Sequence, residues 1–286
     1  MVSLDFQCIK TTQVEVLLNG PPCQPFNPSR GIRQGDPFSP YLFIIAIESL
    51  SRKLASYEQN RTITGIKIVR GAPKINHLLF ADDCLLFSKA NLDQTRALLE
   101  VIEEFSQCSG QVINFNKSSV YFSNNVSPSS AETLASILQV PIMDPKEKYL
   151  GLPFFIGRNE RAHLSVLLEN MDTRLSKWNA SNLPEPGSTV MVKHVLNGIP
   201  FHYMISFKFP DQTIKDLISI QGKLWRRMNS NKGVVISWTN LSRDKEEGGL
   251  GFRAFRVFNK SLLSKSAWKL CYGNSEIWFK SMEAKY

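Results

Sequence analysis

"HLLFADDCLLF", residues 77–87, sets two adjacent aspartates, Asp82 and Asp83, between two short apolar runs. Leu78, Leu79 and Phe80 lead in, and Cys84, Leu85, Leu86 and Phe87 lead out. Runs of this length read as strands, and the break between them reads as a tight hairpin. Leu79, Phe80, Leu85 and Phe87 are then expected to pack on the faces of a small sheet. One Asp suits a turn, because its side chain bonds the local backbone. Two invite repulsion: carboxylates about 4 Å apart cost roughly 4 kcal/mol at an effective dielectric near 20. Water screens that cost at an exposed tip. A cation turns it to advantage, since Mg²⁺ binds through one or two carboxylates plus substrate phosphates. A solvated turn and a metal platform are both open at this point.

Composition narrows the partners. The 286 residues include 34 Lys and Arg against 25 Asp and Glu, a net charge of +9. That balance favours a polyanion such as nucleic acid, although a merely basic protein would share it. An apolar fraction of 43% supports a real core and excludes a disordered chain. The five cysteines, Cys8, Cys23, Cys84, Cys108 and Cys271, are scattered and form no CxxC pair. Reduced thiols in an intracellular protein, nuclear or cytoplasmic, are expected rather than a disulfide scaffold or a structural zinc. The longest apolar stretch, "YLFIIAI" at 41–47, is far too short to span a bilayer. The first residues show no basic and apolar leader pattern, so no secretory signal is expected.

Outward from the hairpin, strands and helices alternate. Val14 to Leu18 alternates and meets the turn pair Asn19-Gly20, and a long loop rich in Pro and Gly follows. "SPYLFIIAIESLSRKLASYE" predicts a well-buried helix, with Ser39 as cap and Pro40 at the first position. "NLDQTRALLEVIEEFSQCSG" predicts an amphipathic helix with Leu98, Leu99, Ile102 and Phe105 on one face and Gly110 as its stop. "QVINFNKSSVYFS" alternates as a strand, and "SSAETLASILQV" carries Ser129 and Glu132 at capping-box spacing. "KYLGLPFFIG" reads as another strand. Beyond Gly157 helical patterns dominate: 160–178, a shorter one at 188–197, 211–228 capped by Asp211, and 254–272 stopped by Gly273. Along 211–228 the expected buried set is Ile214, Leu217, Ile218, Gln221, Leu224, Trp225 and Met228. The fold class is α+β, with a mixed part over 1–157 and a helical part over 158–286.

The segments "GIRQGDPFSPYLF", "LLFADDCLLF" and "INFNKSS", in that order, resemble the reverse transcriptase of non-LTR (LINE-type) retrotransposons, especially the plant branch. "KYLGLPFFIG", residues 174–210 and residues 236–270 look like the regions that follow in the same elements. The resemblance implies a partial polymerase palm over 1–157, a small antiparallel sheet with helices, followed by a helical thumb-like region over 158–286. It implies that Asp82 and Asp83 help hold two Mg²⁺ ions, with Asp82 the more important ligand. Two such metals, about 3.5–4 Å apart, clamp the attacking and leaving oxygens of an in-line displacement. Arg33, Gln34 and Gly35 would lie against the incoming nucleotide and template, although Gly35-Asp36-Pro37 also fits a simple turn. Lys117 would face the triphosphate, or be one surface lysine among many. Tyr149 to Pro153 would border the primer. The implied partners are an RNA template, a DNA primer and deoxynucleotides.

The same resemblance calls for a third carboxylate on a strand upstream of the Arg-Gln-Gly-Asp-Pro block. Asp5 and Glu15 are the acids that precede Gly31, and neither sits in the expected Ala-Phe-Asp setting. The fingers, an upstream endonuclease and a downstream zinc-knuckle-like segment also find no counterpart in the sequence. The expectation is a truncated piece of such an element, inactive on its own. The alternative is a non-catalytic nucleic-acid-binding remnant.

Overall fold

The computed structural model describes residues 10–28, 31–155, 160–176, 184–228, 236–273 and 276–286. Asp5 and Cys8, the tail of the helix expected to end at Trp178, and the proposed boundary at Gly157 lie outside these residues. Chain packing separates two units, Met1–Met143 with Lys280–Tyr286, and Asp144–Phe279.

In the first unit, a helix α1 spans Ser39–Gln59. A hairpin follows, with β1 at His77–Phe80 and β2 at Asp83–Leu86. Helix α2 covers Leu92–Ser109, and helix α3 covers Pro128–Leu138. The core forms where the second half of α1 meets α2. Leu50, Leu54, Ala97, Leu98 and Val101 are buried with Ile63. Burying a Leu fully contributes about 1.5–3 kcal/mol, so this small set carries much of the unit. Ile102 and Phe105 pack against it, as the periodicity of α2 predicts. Asn91 caps α2 by accepting the Gln94 N–H at 2.9 Å, and Gly110 ends it at φ 70°. The Asn19-Gly20 turn is also present, with φ of 53° and 105°, flanked by the bridges Leu17–Pro22 and Val14–Phe26.

Four expectations need correction here. Helix α1 is not well buried: its buried residues are Leu50 and Leu54, while Tyr41, Ile44 and Ile45 are exposed. Its apolar surface exceeds what α2 and the hairpin cover. Ser39 is not its cap. The cap residue is Phe38, whose N–H bonds Asp36 Oδ1 at 2.8 Å, and Ser39 Oγ donates instead to the Arg33 carbonyl at 2.6 Å. Residues 111–123 form no strand: a single 3₁₀ turn, Phe115–Lys117, is followed by one bridge, Val120–Ile142. Alternation needs a partner strand to become a sheet, and here the partner is one residue long. Helix α3 starts earlier than the capping box implies. Ser127 is the cap, accepting Ser130 N–H at 3.2 Å, and Pro128 opens the helix.

In the second unit, "KYLGLPFFIG" turns back on itself rather than running straight. Strands β3 (Lys148–Tyr149) and β4 (Leu152–Pro153) pair across Leu150 and Gly151, at φ 51° and 79°. Two consecutive left-handed residues make the tight hairpin turn. Helices α4 (Glu160–Ser176), α5 (Glu185–Val190) and a π-helical turn (Met191–Leu196) follow. Then come α6 (Phe201–Ser206), α7 (Asp211–Met228), α8 (Trp238–Leu241) and α9 (Phe255–Cys271). Helix α10 spans Ile277–Glu283, and from Lys280 onward it belongs to the first unit. The core of the second unit includes Leu164, Leu167, Met171, Leu196, Met204, Leu217, Trp225, Phe252 and Phe255. Ile214, Leu217 and Leu224 are buried and Ile218 packs beside them, as predicted along α7. Gln221 is buried among them, donating to Asn197 Oδ1 at 3.0 Å. Met228 has no described side chain. Asp211 is the first helical residue, and its carboxylate meets Arg256 at 3.0 Å.

Two features fix the chain path in this unit. Asn259 of α9 is buried, donates to the Met204 and Phe207 carbonyls at 2.8 Å each, and accepts the Phe209 N–H at 2.9 Å. It thereby holds the link between α6 and α7. The "GGLGF" run folds back on α8: Leu250 N–H bonds the Leu241 carbonyl at 3.0 Å, and Gly251 N–H bonds that of Arg243 at 2.8 Å. A Cβ on Gly249 would fall 2.1 Å from the Arg243 carbonyl oxygen, so only glycine fits.

Candidate functional site

The opening motif forms the expected hairpin. β1 and β2 pair antiparallel, with Phe80 opposite Asp83 and Leu79 opposite Cys84, so Ala81 and Asp82 form a two-residue turn. Ala81 adopts φ 50°, a left-handed conformation that costs a non-glycine residue about 1 kcal/mol. Side chains alternate between the faces of a strand, and residues directly opposite share one face. His77, Leu79, Cys84 and Leu86 therefore share a face, and Leu79 and Leu86 pack on the α1–α2 core. Leu78, Phe80, Asp83 and Leu85 share the other, where Phe80 is 59% exposed. Asp83 belongs to the outer face, and Asp82 sits at the tip. Both are exposed.

The foot of the hairpin is fastened by polar contacts that the periodicity of the sequence does not reveal. Asn76 is buried and donates to the Leu54 carbonyl at 3.0 Å. Its Oδ1 lies 2.6 Å from His77 Nδ1, and His77 Nε2 lies 2.9 Å from Ser51 Oγ. The amide oxygen only accepts, so Nδ1 carries the proton and Nε2 accepts from the Ser51 hydroxyl. Burial lowers the His77 pKa, opposed by Glu58 and Glu48, which favours this neutral form. The available signal was the polar pair Asn76-His77 placed directly before an apolar strand.

The electrostatics at the tip are negative. Among the described residues neither Asp82 nor Asp83 has an ion-pair partner, and neither Arg33 nor Lys117 reaches them with one. The Cys84 thiol is pushed up, first by partial desolvation and then by the charges of Asp83 and Asp82. It stays protonated at neutral pH and does not compete as a ligand. The donor set is thus two exposed carboxylate groups, which suits a hard, oxygen-seeking cation. It fits one Mg²⁺ that also takes phosphate oxygens. Among the described residues no group of three or more acidic, His or Cys side chains comes together.

The other predicted residues occupy separate places. Arg33 and Gln34, with Thr12, Val14 and Gly31, line a shallow cavity of about 330 Å³. Gly35, at φ 85°, and Asp36 make the turn into α1, so the turn reading of Gly35-Asp36-Pro37 holds. Lys117 is exposed at the end of its 3₁₀ turn.

Residues 2–154, more than half of the chain, match the reverse transcriptase (RNA-dependent DNA polymerase) family, and the chain belongs to that family. It is 35% identical over 92 residues to a retrovirus-related Pol polyprotein from a type-2 retrotransposable element of Drosophila melanogaster, covering 32% of this chain and 8% of that one. It is 29% identical over 177 residues to a Pol polyprotein from a type-1 retrotransposable element of Popillia japonica, covering 58% and 23%. An uncharacterized mitochondrial protein of Arabidopsis thaliana is 49% identical over 67 residues, covering 23% and 55%. The chain therefore spans under two thirds of each of these relatives. These matches agree with the resemblance to non-LTR elements drawn from the motifs. No helix among the described residues is long and apolar enough to cross a membrane.

Proposed function

We propose that this chain is the palm-and-thumb portion of a LINE-type reverse transcriptase, with the palm over residues 1–157 and the thumb-like region over 158–286. The observation that carries the reading is the Asp82-Asp83 pair at a two-residue hairpin turn seated on two helices. The half-buried Asn76–His77–Ser51 chain and the Leu79–Leu86 face keep that turn in place. Asp82 and Asp83 would hold a Mg²⁺ together with the phosphates of a bound nucleotide. That ion, when bound, supplies charge neutralisation at the transferring phosphorus. Arg33 and Gln34 offer donors to template and nucleotide from the cavity they line, and Gly35 lets a base approach the backbone. Lys117 offers a point charge to the triphosphate. The partners in this reading are an RNA template, a DNA primer and deoxynucleotides.

Two carboxylate side chains anchor one ion, whereas a clamp on both reacting oxygens takes more ligands. A misplacement of about 1 Å already costs roughly 10²-fold in rate. The isolated chain is therefore expected to bind primer–template without extending it. The test is primer extension on an RNA template with Mg²⁺ or Mn²⁺, using the double variant Asp82→Asn, Asp83→Asn as background. Extension well above that background overturns the inactive reading and points to Asp5 or Glu15 as a further ligand.

A further inference from the structure

We infer that the second half of α9 is a binding site for single-stranded nucleic acid, in which Trp268 and Tyr272 stack on bases and the lysines beside them hold the phosphates. This rests on the reverse transcriptase reading and assigns part of its nucleic-acid contact to a definite surface.

The argument starts from how α9 is buried. Its first half is core: Phe255 and Asn259 are buried, and Phe258 and Leu262 pack against the same cluster. From Ser264 to Gly273 every residue is exposed, so the helix leaves the core and runs on with solvent on all sides. A solvent-bound helix end has no folding reason to carry large aromatic rings. This end carries Trp268, 64% exposed, and Tyr272, 71% exposed. Their ring centroids lie 4.8 Å apart with a 40° tilt. Each ring restrains the other, and both keep accessible faces. Stacking on such rings is tolerant of sequence because every base has a π-face.

Charge selects the occupant. From Phe255 to Cys271 the helix holds Arg256, Lys260, Lys265 and Lys269 and no Asp or Glu. Arg256 is engaged by Asp211. Among the described residues no ion pair involves Lys260, Lys265 or Lys269. At 100° per residue, Lys265 and Lys269 fall roughly 60° and 100° to one side of Trp268, and Lys260 roughly 80° to the other. Lys265 and Lys269 therefore lie beside the aromatic stripe, and Lys260 lies on its other side about 12 Å toward the helix N-terminus. Rings for bases between cations for phosphates is the chemistry of single-stranded nucleic acid, and a duplex, whose bases are already stacked, cannot use the rings.

The test is fluorescence anisotropy with labelled (dT)₂₀ and (rU)₂₀ and a 20-base-pair duplex, across a salt series, using the full chain. The double variant Trp268→Ala, Tyr272→Ala is expected to lose about 30-fold or more in affinity for both single strands, with the salt slope and duplex binding unchanged. The variant Lys265→Gln, Lys269→Gln is expected to lower the slope of log affinity against log salt by about 1.4, at roughly 0.7 per phosphate contact. Far-UV circular dichroism of both variants is expected to match the parent, since the replaced side chains are exposed. Unchanged single-strand affinity in the aromatic variant, or an equal loss on duplex, overturns the site while leaving the family reading intact. A parent chain that binds no oligonucleotide overturns the site together with the proposed binding of primer–template.

Discussion

Asn259→Ala removes three hydrogen bonds at one buried point. The side chain donates to the carbonyls of Met204 and Phe207 and accepts from the Phe209 N–H, all at 2.8–2.9 Å. Each bond contributes about 1 kcal/mol net, and a buried group left without a partner costs about 1–3 kcal/mol. The Phe209 N–H is the group most exposed to that penalty, because alanine offers no acceptor. The expected loss is about 3–5 kcal/mol, which at a urea slope near 2 kcal/mol per molar moves the midpoint down by about 1.5 M or more. The assay is urea unfolding followed by tryptophan fluorescence. All five tryptophans lie between residues 144 and 279, so the signal reports that unit. Asn259→Asp is a same-size control. It keeps an acceptor for Phe209 but sets a carboxylate against two carbonyl oxygens, and is expected to lose at least as much. A loss below about 1 kcal/mol for Ala, or near-parent stability for Asp, would refute the claim that donation to Met204 and Phe207 holds the α6–α7 link.

Two further outcomes follow from the hairpin. His77 has a pKa lowered from 6.5 in the folded state, so the unfolded chain takes up its proton first as pH falls. Protection factors of the β1–β2 amides are expected to be full above pH 6.5 and to drop as pH falls below it, and His77→Gln should flatten that dependence; a flat profile in the parent would show that neutral His77, between Asn76 and Ser51, does not hold the hairpin. Cys84 is held protonated in part by Asp83 and Asp82. Its alkylation by iodoacetamide at pH 8 is therefore expected to be slower than that of Cys108, and to speed up in the Asp82→Asn, Asp83→Asn variant. Mass-spectrometric peptide counting reads both rates, and equal rates in parent and variant would show that the carboxylates do not act on the thiol.

Much of this protein was legible where the signal is local. The apolar–Asp–Asp–apolar pattern predicted the hairpin, and β1 and β2 form it around a two-residue turn. The spacing of Ile214, Leu217 and Leu224 predicted the buried face of α7. Asn19-Gly20 and Gly110 predicted their turn and stop because positive φ is a property of the residue itself. The family was legible for the same reason, since its motifs are contiguous blocks.

What the sequence could not decide depends on distant partners. Residues 111–123 alternate like a strand, yet their β-pairing among the described residues is the single bridge Val120–Ile142, so no strand forms. Helix α1 is apolar on most of its circumference, yet only Leu50 and Leu54 are buried, because burial is set by what packs against a helix. Asn259 looks like any polar residue on a helix until the fold brings it within reach of Met204, Phe207 and Phe209, some fifty residues away. Asn76, His77 and Ser51 are joined in the same way across α1 and β1. Periodicity reports which face of an element is apolar. Which groups meet across that face is decided by the register and path of the whole chain.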